Sequence, residues 1–196
     1  MARRAAVLLG AALWMLPTAT AVQADEPGPL ALTKSVLGRS NEIVRGPGDR
    51  KEKLTRLSEL LRGYLDTDAL ADLAAKKHLE GRSPEEVAEF RRLFHEFFVR
   101  TYVQRLLLFD APDFAFKNET ITGDQATVAT EIVMPGDRFA VDYTLRRRPD
   151  GWRAVDIAVE GVSLAQNFRA QFDAAVAKDS FQGLLDRLRA KVNGPA

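Results

Sequence analysis

The stretch Arg138-Phe139-Ala140-Val141-Asp142-Tyr143-Thr144-Leu145 decides the fold of this chain. Its large apolar residues, Phe139, Val141, Tyr143 and Leu145, alternate with residues that are small or polar. Alternation with a period of two predicts a β-strand that buries one face and leaves the other in water. The third strand of a sheet is therefore expected at residues 138–147, with one apolar face.

Turn sequences lie on both sides of this strand and recur along the region. Pro135-Gly136-Asp137 precedes it, Pro149-Asp150-Gly151 follows it, and Thr122-Gly123-Asp124 lies one strand earlier. Such residues favour tight turns, and connections this short join antiparallel neighbours. The sequence predicts a four-stranded antiparallel meander, with strands at 114–120, 125–134, 138–147 and 152–159.

Helical patterns stand before and after the meander. Ser83-Pro84-Glu85-Glu86 combines a serine N-cap, a proline at the first helical position and a glutamate three residues after the cap, which predicts a helix start. A stripe from Phe90 through Phe94 and Phe98 to Tyr102 predicts one long helix reaching residue 109. Further helices are predicted at 30–44, from Asp49 to 61, at 67–79, at 164–176 and at 181–188. The fold class is α+β: a bundle of helices packed against an antiparallel sheet.

The first 24 residues have the pattern of a cleavable secretory signal. Arg3 and Arg4 precede an apolar run at 6–16, and small residues follow, so cleavage is expected after Ala21 or Ala24. Removing the two arginines lowers the formal charge from +1 to −1. We expect an exported, soluble, nearly neutral protein with one domain at residues 25–196.

Composition argues against several classes of function. The 196 residues include no cysteine, so no disulfide or thiolate chemistry exists, and 28 basic against 27 acidic residues argue against nucleic-acid binding. No phosphate-binding glycine loop and no nucleophile elbow occur. His78 and His95 fall on different predicted helices, so no metal site and no cofactor are expected.

Two sets of charged residues leave alternatives open. Asp156, with Glu160 or Tyr143, is a possible acid/base pair of a small enzyme with a cone-shaped pocket, or a strand-end carboxylate that pairs with arginines. Arg146-Arg147-Arg148 is either a solvated hairpin tip or a contact for a phosphate or an acidic partner. The 11 phenylalanines are explained equally by a filled core and by an apolar cavity between helices and sheet.

Residues from Phe90 to Gly183 resemble the MlaC family, the periplasmic phospholipid-binding "toluene tolerance" proteins. The most specific block is Val159-Glu160-Gly161-Val162-Ser163-Leu164, followed by Asn167-Phe168-Arg169. The other matching residues are Phe90, Phe94, Arg100-Thr101-Tyr102, Asp142-Tyr143, Leu145, Gly151-Trp152, Asp156 and Gln171-Phe172.

The resemblance implies a periplasmic carrier and not an enzyme. Members of this family are auxiliary components of an ABC-type lipid transport system that maintains outer-membrane lipid asymmetry. The implied partners are a phospholipid, an inner-membrane ABC transporter complex and an outer-membrane lipoprotein/porin complex. A hopanoid or sterol-like cargo, a small periplasmic enzyme and an adaptor with a filled core are the alternatives.

We expect the lipid pocket between the sheet and the long helix. Residues on one face of that helix, on one face of the third strand and on the following helix form its predicted walls: Phe94, Phe98, Tyr102, Leu106, Phe139, Val141, Tyr143 and Phe168. The rival assignment turns Val155, Ile157 and Val159 inward and leaves the tyrosines in solvent. In the block that follows strand four, Gly161 is expected to allow either a close approach or an unusual backbone angle, and Ser163 to cap a helix. Arg169 is expected to reach Glu160, Asp156 or a lipid phosphate.

Overall fold

A computed structural model describes residues 27–107 and 111–194 of the chain. The predicted signal at 1–24 lies outside these residues. No helix within the two described ranges is long and apolar enough to cross a membrane. The elements run, in chain order, as helices α1 (Pro29–Arg45), α2 (Arg50–Arg62), α3 (Thr67–Leu79) and α4 (Pro84–Phe98), a π-helical segment (Val99–Val103), α5 (Gln104–Leu106), strands β1 (Asp113–Thr122), β2 (Gln125–Met134), β3 (Asp137–Arg148), β4 (Gly151–Val159) and β5 (Val162–Ser163), and helix α6 (Leu164–Asn193).

Local capping chemistry starts the helices where the sequence predicts. The Ser83 hydroxyl accepts from the backbone N–H of Glu86, and the Glu86 carboxylate accepts from the N–H of Ser83. Asp49 and Glu52 form the same reciprocal pair at the start of α2. Each capping box satisfies two backbone donors that a helix start otherwise leaves to water.

The long helix predicted from Ser83 does not continue as one regular element. Regular α-helix ends at Phe98, the next five residues are π-helical, and α5 adds one short turn up to Leu106. A π turn contains one more residue than an α turn, so it changes the direction of every later side chain. The last part of the prediction, residues 108–109, lies outside the described residues.

The sheet has five strands in the order β1-β2-β3-β4-β5, all antiparallel, where the sequence predicts four. The missed strand, β5, has only two residues, too few for a periodic pattern to reveal. Glu160 and Gly161 connect it to β4 with φ angles of 50° and 75°. The unusual backbone angle predicted at Gly161 is confirmed.

Apolar side chains form three clusters. The helix cluster joins α3, α4 and α6, and its members include Leu70, Phe90, Phe94, Phe98, Phe168, Phe172 and Phe181. In the sheet cluster, α1 and the α2–α3 connection pack on the inner sheet face. The members of this cluster include Val36, Tyr64, Val128, Val141, Tyr143, Leu145 and Trp152. The corner cluster contains Ile43, Leu57 and Val103.

Helix α6 contains one residue with non-helical backbone angles. Ser180 has φ 68° and ψ 175°, values that are essentially confined to glycine, and it divides α6 into two helical parts at a kink. The second part carries Phe181, whose ring lies 5.9 Å from that of Phe90. The short terminal helix predicted at 181–188 is this second part.

Candidate lipid-binding site

The eight predicted pocket residues do not form one wall. Phe94, Phe98 and Phe168 are buried in the helix cluster, with Tyr102 half-buried against them. Val141 and Tyr143 are buried in the sheet cluster, under α1 and α2 and not under α4. Leu106 and Phe139 are exposed, by 41% and 38%. The structure therefore brings four of the residues together in one cluster and two in another.

The helix-side residues make a continuous aromatic stack. Phe98 and Tyr102 stack with ring centroids 4.9 Å apart, and Phe168 lies edge-on to Phe94 at 5.1 Å and to Tyr102 at 6.0 Å. Edge-to-face and offset pairs at these distances are favourable beyond the area that they bury. This stack joins the π-helical segment to the first turns of α6.

On the sheet side, the inner face is defined by register. Val141 pairs with Val159 and Tyr143 with Ile157, and paired residues share a face. Tyr143 is buried, so the rival assignment in which it faces solvent is wrong. Ile157 nevertheless lies on the inner face as well, because it is the direct pairing partner of Tyr143.

The clusters meet around α2 and the π-helical segment. Leu65, just after α2, packs against both the helix cluster and the sheet cluster. The π-helical segment places Tyr102 in the helix cluster and the next residue, Val103, in the corner cluster. The π-helical segment therefore belongs to the helix and corner clusters, and Leu65 connects the helix cluster to the sheet cluster.

Sequence reasoning missed a buried polar pair that holds α1 over the sheet. The Thr33 hydroxyl donates to the carbonyl of Pro29 at 2.7 Å, so the Tyr64 hydroxyl donates to the Thr33 oxygen at 2.9 Å. Both residues are almost fully buried, and the Tyr64 ring lies 6.1 Å from that of Tyr143. Burial raises the pKa of Tyr64 and of Tyr143 well above the ordinary value for a phenol. No signal in the sequence distinguishes this threonine from an ordinary helical one.

A charged cleft of about 510 Å³ opens at the β3–β4 end of the sheet. Its residues are largely paired with one another: Arg148 bonds Asp66 at 2.6 Å, and Arg153 bonds Asp150 at 2.5 Å. None of the predicted pocket residues lines this cleft. Its polar lining residues include Arg62, Asp66, Asp68, His95, Arg148, Asp150 and Arg153. Hydrocarbon in this cleft would remove these charged groups from water, which is costly.

The charged residues singled out in the sequence have structural partners. Asp156 accepts from the Ser163 hydroxyl and from the N–H of Ala165, so it fixes the start of α6. The Ser163 hydroxyl also accepts from the N–H of Gln166 at 3.1 Å, which confirms the predicted cap. The sequence predicts a contact of Arg169 with Asp156 or Glu160, but in the structure Arg169 contacts neither carboxylate and donates to the carbonyl of Leu73 in α3 at 2.7 Å. That prediction is wrong because a stripe pattern shows which side chains leave the core but not which neighbour they meet.

The histidines bridge elements. His78 contacts the Asp173 carboxylate at 2.7 Å and His95 contacts the Thr67 hydroxyl at 2.9 Å. Over the ranges 27–107 and 111–194, no group of three or more acidic or histidine side chains is arranged to hold a metal ion.

Comparison with known proteins adds two findings. The model of a protein family described as MlaC protein matches residues 33–190. A solved phospholipid-binding protein from Ralstonia solanacearum, in complex with a phospholipid, superposes with a TM-score of 0.76 at 20% identity, covering 85% of this chain and 97% of that one. The search of curated proteins gives no match.

Proposed function

The chain belongs to the MlaC family, and from this membership we propose that it is a carrier that holds a phospholipid in an apolar pocket and moves it through the periplasm. The observation that carries the proposal is the combination of family, fold and inner sheet face. A protein of the same fold is described with a phospholipid bound, and the sheet presents a continuous apolar face to the helices.

We place the acyl chains between the inner sheet face and the π-helical segment. Phe139, Val141 and Tyr143 supply the sheet wall, and the aromatic stack of Phe94, Phe98, Tyr102 and Phe168, extended by Leu106, supplies the helix wall. In the described structure these walls belong to separate clusters that meet at Leu65. Loading therefore separates the two clusters, and the hydrocarbon replaces contacts that each wall now makes with other side chains.

Two tyrosines suit the boundary between acyl chains and headgroup. Burial raises the pKa of Tyr143, and it raises that of Tyr102 as well. A phenol is neutral at physiological pH even without this shift, so both side chains are able to donate a hydrogen bond to an ester carbonyl of the lipid. A neutral donor binds the lipid backbone whatever the charge of its headgroup.

Thermodynamics explains why such a carrier needs docking partners. Burying apolar carbon gains about 0.8 kcal/mol per CH₂, so two chains of about 15 CH₂ gain on the order of 20 kcal/mol before ordering costs. A lipid held this tightly leaves for water too slowly to be useful. We propose handover by contact to an inner-membrane ABC transporter complex and to an outer-membrane lipoprotein/porin complex, in the service of outer-membrane lipid asymmetry.

The proposal includes export to the periplasm. Residues 1–24 serve as the signal, and residues 25–196 form the single lipid-binding domain. N-terminal sequencing of the protein recovered from the periplasm is expected to begin at Val22 or Asp25, and an intact Met1 on membrane-bound protein contradicts export by cleavage.

The enzyme alternative loses its best candidate. Both carboxylate oxygens of Asp156 accept hydrogen bonds at the start of α6, which gives this residue a structural role. Binding and transport are the functions that the family and the fold support.

Native mass spectrometry of protein purified from a Gram-negative periplasm tests the function. We expect a mass increment that matches phospholipid, and expect the same lipids in an organic extract of the sample. Stripped protein mixed with phospholipid vesicles is expected to regain the increment. Protein that is folded and empty, and stays empty with vesicles, contradicts the carrier and leaves the adaptor alternative; a hopanoid mass in place of phospholipid changes the cargo only.

A further inference from the structure

We propose that the acyl chains enter and leave at one end of the sheet, across an exposed apolar rim formed by Ile132, Met134, Phe139, Val159 and Val162. The inference rests on the proposed function, because its occupant is the hydrocarbon of the bound phospholipid. It adds the route by which that hydrocarbon reaches the inner face.

The rim is a continuation of the inner sheet face. Phe139 pairs with Ile132 on β2. Val159 pairs with Val141 on one side and with Val162 on the other. Paired residues share a face, so these side chains lie on one face of the sheet. Val141 is a buried member of the sheet cluster, and Ile132 packs against that cluster. One apolar strip thus runs from the buried centre of the face to its exposed end.

Exposure along the strip rises toward the end of the sheet. Val141 is 2% exposed, Phe139 and Met134 are each 38% exposed, and Val162 reaches 58%. Grouped apolar side chains in water mark a binding surface more often than single ones do. Asp137, the pairing partner of Met134, lies at the hairpin tip and is the charged neighbour of the rim on β3.

The opposite end of the sheet is unsuitable for hydrocarbon. It carries the charged cleft, where Arg148 pairs with Asp66 and Arg153 with Asp150. An acyl chain passing there would remove these groups from water, which is costly for charges. The only other large apolar side chain of the inner face that is exposed within the described residues is Ile121, which pairs with Ala126 at that charged end.

The end of helix α1 and the corner cluster also lie at the rim end of the sheet. Asn41 and Arg45, near the end of α1, donate to the carbonyls of Pro112 and Ala111, directly before β1. Since the first residue of β1, Asp113, pairs with Val133, the end of α1 stands beside the rim. The corner cluster, which includes Val103 of the π-helical segment together with Ile43 of α1, is therefore at this end too.

The absence of cysteine from the sequence permits a direct test. Val162→Cys places a single thiol on the rim, and Ile121→Cys, at 50% exposure on the same face, is the matched control at the charged end. Each purified variant is labelled with a bimane and loaded with phosphatidylcholine that carries a nitroxide near the carboxyl end of one acyl chain. The amount of bound lipid is measured in the same samples by extraction.

We expect nitroxide lipid to quench the label at Val162 at least about twice as strongly as the label at Ile121, and unlabelled lipid to reverse the difference. As a second readout, Val162→Lys is expected to slow uptake from vesicles about tenfold relative to Ile121→Lys, because it replaces apolar contact with a charge. Bound lipid with equal quenching at both sites, or stronger quenching at Ile121, overturns the rim and leaves the carrier intact. Failure of the unsubstituted protein to bind any lipid overturns both the entry route at the rim and the proposed carrier function.

Discussion

The buried hydroxyl pair of Thr33 and Tyr64 provides the sharpest test of how α1 is held over the sheet. Thr33→Val removes the acceptor and leaves the Tyr64 donor buried without a partner, which costs about 2 kcal/mol of unfolding free energy. Tyr64→Phe removes the donor while Thr33 keeps its bond to Pro29, so the cost is about 1 kcal/mol. When both substitutions are combined, no buried donor is left without a partner. Thr33→Val should therefore lower the unfolding free energy by roughly 1 kcal/mol less in the Tyr64→Phe background than in the unsubstituted chain.

Urea unfolding of the four proteins measures this coupling, and thermal melts check it. For a domain of this size each kcal/mol corresponds to roughly 2–4 °C in Tm. Ser40→Ala is the matched control, since Ser40 is a buried hydroxyl of α1 that bonds only the carbonyl of Val36 in its own helix. If Thr33→Val costs the same free energy with and without the tyrosine hydroxyl, the two groups are not coupled and the geometry argued for α1 is wrong.

Three further predictions concern other parts of the molecule. Because burial raises the pKa of Tyr64 and Tyr143 in the folded protein, unfolded phenols lose protons first above pH about 10. The unfolding free energy should be insensitive to these two groups below that pH. Above it, the unfolding free energy should fall by up to about 1.4 kcal/mol per pH unit for each group, and the fall should be shallower in Tyr64→Phe. A urea series from pH 8 to 11 that shows no steeper fall in the unsubstituted chain than in Tyr64→Phe contradicts this. Ser180→Gly should raise Tm by roughly 2–4 °C, since relief of about 1–3 kcal/mol of backbone strain exceeds the added entropy of an unfolded glycine; an unchanged or lower Tm would show that Ser180 carries no strain. Arg169→Ala should cost at most about 1 kcal/mol, through its bond to Leu73, and should leave phospholipid occupancy unchanged; a variant that melts normally but purifies empty would make the arginine a lipid ligand.

Local signals in the sequence predict the elements well, because their causes are local. Ser83 with Glu86 starts α4, and Ser163 starts α6, through hydrogen bonds between residues three apart. The alternation around Tyr143 predicts both β3 and its buried face. The π-helical segment is missed because the spacing of Phe98 and Tyr102 is compatible with α-helix as well.

The partner of each buried face is beyond reach of the sequence alone. The stripe of Phe94 and Phe98 predicts burial, and burial is found, but against α3 and α6 instead of the sheet. An apolar stripe carries no information about which other apolar surface covers it. The same limit applies to Arg169, whose partner is a backbone carbonyl of α3, since every residue type offers such a group.

The position of the lipid relative to the π-helical segment tests the central claim most directly. A photoreactive p-benzoylphenylalanine in place of Tyr102 stands on the proposed helix wall, and the same group in place of Val176 is the control. Val176 also packs against the helix cluster, but it lies twelve residues into α6, roughly 18 Å along that helix. After irradiation of lipid-loaded protein, intact mass spectrometry is expected to show covalently attached phospholipid for the substitution at Tyr102 and none at Val176. Attachment at Val176 with none at Tyr102, in samples that hold equal lipid, would place the hydrocarbon elsewhere and contradict the proposed pocket.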